Sequence, residues 1–365
     1  MSQVSQKKGR KTRTSWLWRI LTSRWSFATL ALKVVSAWLF WHFLFSPFQG
    51  FAGAERRVVV APGLSARQIL DRLDREGVIA SSWLSRAYLV LVLGNRPLKA
   101  GEYLFAGPAN GPQVLAKLIQ GESLERSVTV VEGLSMMETA DLLAREGFGE
   151  RGALLDAMAQ VGTIADLDPE ATNLEGYLFP DTYSFAPGTP PGEVVRALVA
   201  NFRARYAREI VPILPRQGAP PLRRLVTLAS IVEKEARLQA ERTLIAGVYR
   251  NRLDQGIGLY ADPTVIYALR LAGRWDGNIR REDLAIDSPY NTYRYPGLPP
   301  GPIASPGLAS LAAAACPAPV RYLYFVSKND GSHAFAETLD EHNRNVEIWQ
   351  RRYFRERRNQ EAAAR

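Results

Sequence analysis

The chain has 365 residues, 47% hydrophobic and 22% charged, an ordinary globular composition long enough for about two domains. Its formal charge of +10 sits at the ends: residues 1–24 carry seven Lys or Arg and no acid, and residues 351–365 carry a net +4, which leaves −1 for everything between. A nearly neutral body excludes nucleic acid as a partner, a single cysteine (Cys316) excludes an internal disulfide, and three histidines without tight spacing to it argue against a metal site.

The run from Trp25 to Phe45 has roughly the 20 residues that a membrane span needs, and tryptophans at 16, 18, 25, 38 and 41 suit an interfacial belt. The basic residues before it place the N-terminus in the cytoplasm and the remainder outside. Lys33 lies within the run, where snorkelling reduces its cost. A cleavable signal ending near Ala52-Gly53-Ala54 is the competing expectation, but its apolar core would be only about 7–15 residues long, so the length favours a retained anchor. The expected division is therefore a basic cytoplasmic tail (1–24), a transmembrane anchor (25–46) and a linker (47–56).

Next comes a strand signal, Arg57-Val58-Val59-Val60, and then Ser65, a good N-cap for a helix carrying Ile69, Leu70 and Leu73 up to a stop at Gly77. Ser81 or Ser82 caps a second helix, Gly101 to Phe105 is strand-like, Pro112 to Gln120 helical, and Ser127 to Val131 strand-like again. Part of this unit recurs: Gly63-Leu64-Ser65, Asp71, Leu73 and Arg75-Glu76-Gly77 return as Gly133-Leu134-Ser135, Asp141, Leu143 and Arg145-Glu146-Gly147. The shared content is a strand, a tight turn, an N-capped helix and a glycine stop. Residues 57–125 resemble a LysM-type module, which implies binding of N-acetylglucosamine polymers; the plain alternative is a structural spacer.

From Asn173 the chain is dense in rings and turn residues. Glu175 to Tyr183, Asp262 to Tyr267, and Ser288-Pro289-Tyr290-Asn291-Thr292-Tyr293 running on to Gly307 read as loops. Aromatic faces beside polar groups suit carbohydrate, while an aromatic core loop is the simpler reading. Between these loops, Leu222 to Val232 is apolar on nearly every side of a helix, with Thr227, Ser230 and Lys234 as a polar strip. Glu233 falls beside Val226, Ala229 and Ala236, off that strip, and Glu235 also borders the apolar side. An apolar setting would hold a carboxyl protonated at neutral pH, which is what a general acid for glycosidic cleavage requires. A solvated Glu-Lys-Glu face is the bland counterpart. Tyr322 to Val326, a turn at Asn329-Asp330-Gly331 and Ser332 to Phe335 form a hairpin, and a helix follows from Leu339.

With these blocks in order, the chain resembles the MltG-like (YceG-like) family of membrane-bound endolytic peptidoglycan (murein) transglycosylases, on Glu175–Tyr183, Leu228–Glu235, Asp262–Tyr267, Tyr290–Tyr293, Gly297–Ile303 and Ser332–Asn343. The resemblance implies an α+β fold: a single N-terminal transmembrane helix, a small LysM-like module (57–125), a larger mixed α+β catalytic domain (126–350) and a basic C-terminal tail (351–365). It implies that Glu233 is the catalytic residue rather than Glu235. Glu233 would protonate the bond between N-acetylmuramic acid and N-acetylglucosamine, then accept the proton of the muramic acid C6 hydroxyl as a 1,6-anhydro ring closes. No water and no second carboxylate are consumed. Glu175, Asp262, Tyr290, Asn291 and Tyr293 are the candidates for glycan binding, by loop position. No metal and no cofactor are implied. The implied partners are nascent peptidoglycan strands, the membrane and, as candidates, the peptidoglycan synthases. The implied location is the inner membrane, with the catalytic domain in the periplasm. Two other readings compete: a lysozyme-type hydrolase with Asp262 or Glu175 as second carboxylate, and a non-catalytic peptidoglycan-binding scaffold.

Overall fold

The computed structural model describes residues 14–61 and 63–356, with side chains from residue 29. The start of the basic tail, all of its side chains and the end of the C-terminal tail lie outside the described residues. The rest divides into two compact units, one ending at Glu125 and including Ala186–Gly188, the other made of Arg126–Phe185 and the chain from Thr189 onward.

The first unit opens with α1 (Thr14–Phe45), a helix of 32 residues. Its described part exposes Leu30, Leu32, Val34, Trp38, Trp41 and Phe43, while Leu44 near its end is buried. Among the described residues no helix is long and apolar enough to cross a membrane. Beyond it, β1 (Glu55–Val60) pairs antiparallel with β2 (Gly101–Ala106). Between them lie α2 (Ala66–Arg75) and α3 (Ser82–Leu91), and α4 (Gly111–Gln120) follows. Ser65 and Gln68 close a reciprocal capping box on α2, Ser81 caps α3, and Asn110 does the same for α4 with Gln113. Each box satisfies two of the four amides that a helix start leaves unpaired. Alternation along β1 turns Val58 and Val60 inward onto Ile69, Leu70, Leu73, Tyr103, Leu115 and Leu118.

The second unit begins with β3 (Arg126–Val130) and continues through α5 (Met136–Arg145) and α6 (Arg151–Met158) to β4 (Asp181–Phe185), which pairs antiparallel with β3. Val128, Val130 and Tyr183 face the core, while Thr129–Thr182 and Ser127–Ser184 pair their hydroxyls at 2.9 Å on the outer face. Four helices follow: α7 (Pro191–Arg205), α8 (Leu222–Glu235), α9 (Arg242–Asp254) and α10 (Asp262–Leu271). They are followed by α11 (Leu308–Ala315), the hairpin β5 (Tyr324–Ser327) and β6 (His333–Ala336), and α12 (Leu339–Val346). α8 is the hub. It packs on α9, α10 and α11, and every residue from Leu225 to Val232 is buried.

Thr227 and Ser230 of the polar strip of α8 are buried, while Lys234 at its end is exposed. Thr227 donates to the Arg223 carbonyl. Ser230 donates to the Thr227 carbonyl and accepts from the Ile303 amide at 3.1 Å. Lys234 Nζ donates to the Gly133 carbonyl at 3.0 Å. The strip therefore ties the helix to two loops that would otherwise strand buried amides and carbonyls.

Two expectations about loops change. Asp262 to Tyr267 is the first part of α10: Pro263 sits at the helix start, where its missing N–H costs nothing, so an Asp-Pro pair read as a turn is a helix entry. Within Glu175 to Tyr183, the segment from Asp181 onward is β4. Tyr177, Leu178 and Phe179 are buried, which makes this a core loop and not a stacking platform.

At the start of α8, Asp168 accepts from Arg223 Nη1 at 2.9 Å and from the Tyr177 hydroxyl at 2.6 Å, with its carboxyl almost fully covered. Removing one member of a buried pair leaves the other charge uncompensated. Asp168→Ala is expected to cost about 3–5 kcal/mol, read as a lowered urea midpoint at unchanged slope; a midpoint within about 0.5 kcal/mol of wild type would contradict it.

Candidate active site

α8 ends at Glu235 because Ala236 turns to an extended conformation (ψ 115°), and a single turn, Gln239–Glu241, leads into α9. The reversal brings Arg242 back over Glu233. Arg242 Nη2 lies 3.0 Å from Glu233 Oε1, and the Gly307 amide donates to Glu233 Oε2 at 3.0 Å. The Glu233 side chain is only 6% exposed, yet it lines an open cleft of about 560 Å³ with Thr129, Val131, Glu132, Asp181 and Thr182.

The end of β3 with residues 131–132 and the start of β4 with Pro180 line this cleft. The Gly133 amide donates to the Ser305 carbonyl and the Ser305 amide to the Leu134 carbonyl, so the turn after β3 lies against the segment leading into α11. Gly133 adopts φ 77°, a left-handed value that favours glycine. Arg242 is fixed from the far side by Ser310 Oγ, 3.0 Å from its Nε. A second carboxylate, Glu132, stands at the rim with its side chain 50% exposed and Oε2 3.8 Å from the same Arg242 Nη2. Burial pushes the Glu132 carboxyl up, the neighbouring Glu233 charge adds to this, and Arg242 opposes both.

The expectation of an apolar setting for Glu233 holds for its backbone and fails for its carboxyl. Val226, Ala229 and Ala236 are buried, as the helical spacing requires. The carboxyl itself meets a guanidinium and an amide N–H. The periodicity of one helix could not reveal a cation supplied by the next.

The other candidates lie elsewhere. Glu175 is buried and accepts the Met136 amide at the start of α5 and the Tyr267 hydroxyl at 3.0 Å. Tyr290 packs on Tyr267 with ring centres 4.8 Å apart. Asn291 is fully buried and donates to the Leu284 and Ile286 carbonyls. Asp262, in the first turn of α10, accepts from the Tyr293 hydroxyl at 2.6 Å. Glu235 points away from Glu233 and accepts from the Tyr249 hydroxyl; burial pushes its carboxyl up to about 7. Neither Glu175 nor Asp262 lines the cleft of Glu233. Glu132 and Arg242 were not legible as site residues. One signal existed for Glu132: in the second copy of the repeated segment it stands where the first has Pro62.

Burial also pushes Glu175 up to about 7, against the pull of the Met136 amide and the Tyr267 hydroxyl. An acid whose folded value exceeds its ordinary 4.5 stabilises the fold most below that value, and the contribution is lost as pH rises through 7. Glu175→Gln is therefore expected to flatten the fall in unfolding free energy between pH 4.5 and 8, measured by urea titration at stepped pH. A slope equal to that of wild type would refute this assignment.

A family model described as the YceG-like family matches residues 58–348. An endolytic murein transglycosylase of Bacillus subtilis (strain 168) is 32% identical over 332 residues, covering 86% of this chain and 90% of that protein. A protein of the same name from Streptococcus pneumoniae serotype 2 (strain D39 / NCTC 7466) is 28% identical over 323 residues, which span 79% of this chain and 57% of that longer one. The crystal structure of a putative yceG-like protein from Listeria monocytogenes superposes with a TM-score of 0.54 at 30% identity, covering 80% of this chain and 99% of that one.

Proposed function

The chain belongs to the YceG-like family, and from that premise we propose that it is an endolytic lytic transglycosylase that cleaves the bond between N-acetylmuramic acid and N-acetylglucosamine in peptidoglycan, with Glu233 as its acid and base. The observation that carries this reading is the placement of Glu233: a nearly covered carboxyl at the floor of an open cleft, held at both oxygens. A carboxyl fixed at two points is positioned for transfer to one oxygen of a bound glycan, which favours rate through orientation. Protonated, Glu233 donates to the leaving glycosidic oxygen. As a carboxylate it accepts from the C6 hydroxyl of the muramic acid, which attacks its own C1 and closes the anhydro ring.

The remaining regions take supporting roles in this proposal. Residues 25–46 anchor the chain in the inner membrane with the catalytic domain outside, supported by the exposed apolar side chains of α1 and the basic residues before it. Residues 57–125 form a LysM-like glycan-binding module, supported by the β–α–α–β order of β1, α2, α3 and β2. Residues 126–350 form the catalytic domain, acting on nascent strands near the membrane, where peptidoglycan synthases are neighbours. Glu175, Asp262, Tyr290, Asn291 and Tyr293, which do not line the cleft of Glu233, position the glycan indirectly through the loops and helix starts they hold. A hydrolase is the second reading because Glu132, not Asp262 or Glu175, provides another carboxylate beside Glu233.

Mass spectrometry of muropeptides tests the proposal. Wild-type protein incubated with peptidoglycan is expected to release products ending in 1,6-anhydro-muramic acid, one water lighter than hydrolysis products, and Glu233→Gln to slow their release by about 100-fold or more. Reducing-end products would establish the hydrolase. Undiminished cleavage by Glu233→Gln would remove Glu233 from the chemistry, and binding without cleavage by either protein would leave the scaffold.

A further inference from the structure

A general acid must hold a proton near neutral pH, so the groups that contact the Glu233 carboxyl matter. The Arg242 guanidinium contacts Oε1 and the Gly307 amide contacts Oε2. Glu132 is placed to compete for the cation. Its Oε2 reaches the same Nη2 that binds Glu233, at 3.8 Å against 3.0 Å. Ser310 anchors the Nε of that guanidinium, so the cation stays between the two carboxylates. Gly307 provides the room: a Cβ at this position would overlap the Glu132 carboxyl. The cluster of Glu132, Arg242 and Glu233 carries a net −1 when fully ionised, and one shared cation cannot satisfy both acids.

We propose that Glu132 and Arg242 are opposed positioning residues that set the proton affinity of Glu233: Arg242 orients the carboxyl and Glu132 competes for Arg242, so that Glu233 can take up a proton. The inference rests on the assignment of Glu233 as the acid. The other charged groups facing Glu233 are Lys234, whose Nζ is held on the Gly133 carbonyl, and Asp181, which lines the cleft and is paired with Asn201 and Arg205. Neither reaches the Glu233 carboxyl in the way Arg242 does.

The test is the pH dependence of anhydro-muropeptide release from isolated glycan strands by the full chain, as kcat/KM from about pH 4 to 9. The alkaline limb of that profile reports the essential acid of the free enzyme. Removing a neighbouring negative charge lowers the proton affinity of Glu233, and removing the positive charge raises it. Glu132→Gln is therefore expected to move the limb down by about one pH unit and Arg242→Gln to move it up by about as much. Glu132→Asp and Arg242→Lys, which keep the charges, restore the limb towards wild type. Where Arg242→Gln fails to fold by circular dichroism, Arg242→Lys and Glu132→Gln still decide the matter. A uniform loss of rate with an unmoved limb, or movement of both variants in one direction, would overturn the inference while leaving Glu233 as the acid. Retained activity in Glu233→Gln would instead overturn the assignment beneath it.

Discussion

The second unit depends on one helix being buried on all sides while it still delivers a carboxylate to water. From Leu225 to Val232, α8 has no exposed residue, and its hydroxyls are used internally. Burial of that extent fixes the rotation and height of the helix, because any slip would expose apolar surface and strand Ser230 against the Ile303 amide. The last turn inherits this rigidity. Glu233 and Lys234, adjacent in sequence, point to different walls: one takes the Gly307 amide and the other gives to the Gly133 carbonyl. Two side chains on a turn that the core does not let move thus tie α8 to the segments at Gly133 and Gly307.

The electrostatics follow from the same packing. Three carboxyls in the second unit sit in unlike surroundings. Glu175 is sealed beneath the start of α5 and answered only by neutral donors, so burial dominates and it is pushed up to about 7. Glu235 is answered mainly by the Tyr249 hydroxyl and behaves alike. Glu233 has a guanidinium at 3.0 Å. Two glutamates separated by a single lysine therefore meet different chemistry because positions two apart on a helix face nearly opposite sides.

Much of the frame was legible from local rules. Ser65, Ser135 and Thr338 are helix N-caps with reciprocal partners three residues on, Gly77 and Gly147 stop their helices in the left-handed region, and Asn329 and Gly331 turn the β5–β6 hairpin. Such signals lie within a few residues of what they control. The polar strip on α8 was visible too, but not its direction, since periodicity gives the face and not the neighbour. Asp262 and Pro263 misled because the same pair opens turns and helices. The cleft was the least legible part. Arg242 reaches Glu233 only because the chain reverses at Ala236, and Glu132 and Gly307 come together through pairing of the segments at Gly133 and Ser305. No local pattern encodes such meetings.

Those long-range meetings bear on biosynthesis. The hydrogen bond from Lys234 to Gly133 spans 101 residues, and that from Gly307 to Glu233 spans 74. Contacts so distant in sequence are slow to form, since the entropy of closing the intervening loop opposes them. A chain emerging N-terminus first has every residue of α8 in hand long before Gly307 and Ser310 arrive to complete the pocket around Glu233. The carboxyl is thus left without its second support until the unit is nearly finished, and a truncated or stalled chain ending before α11 holds the residue but not the site.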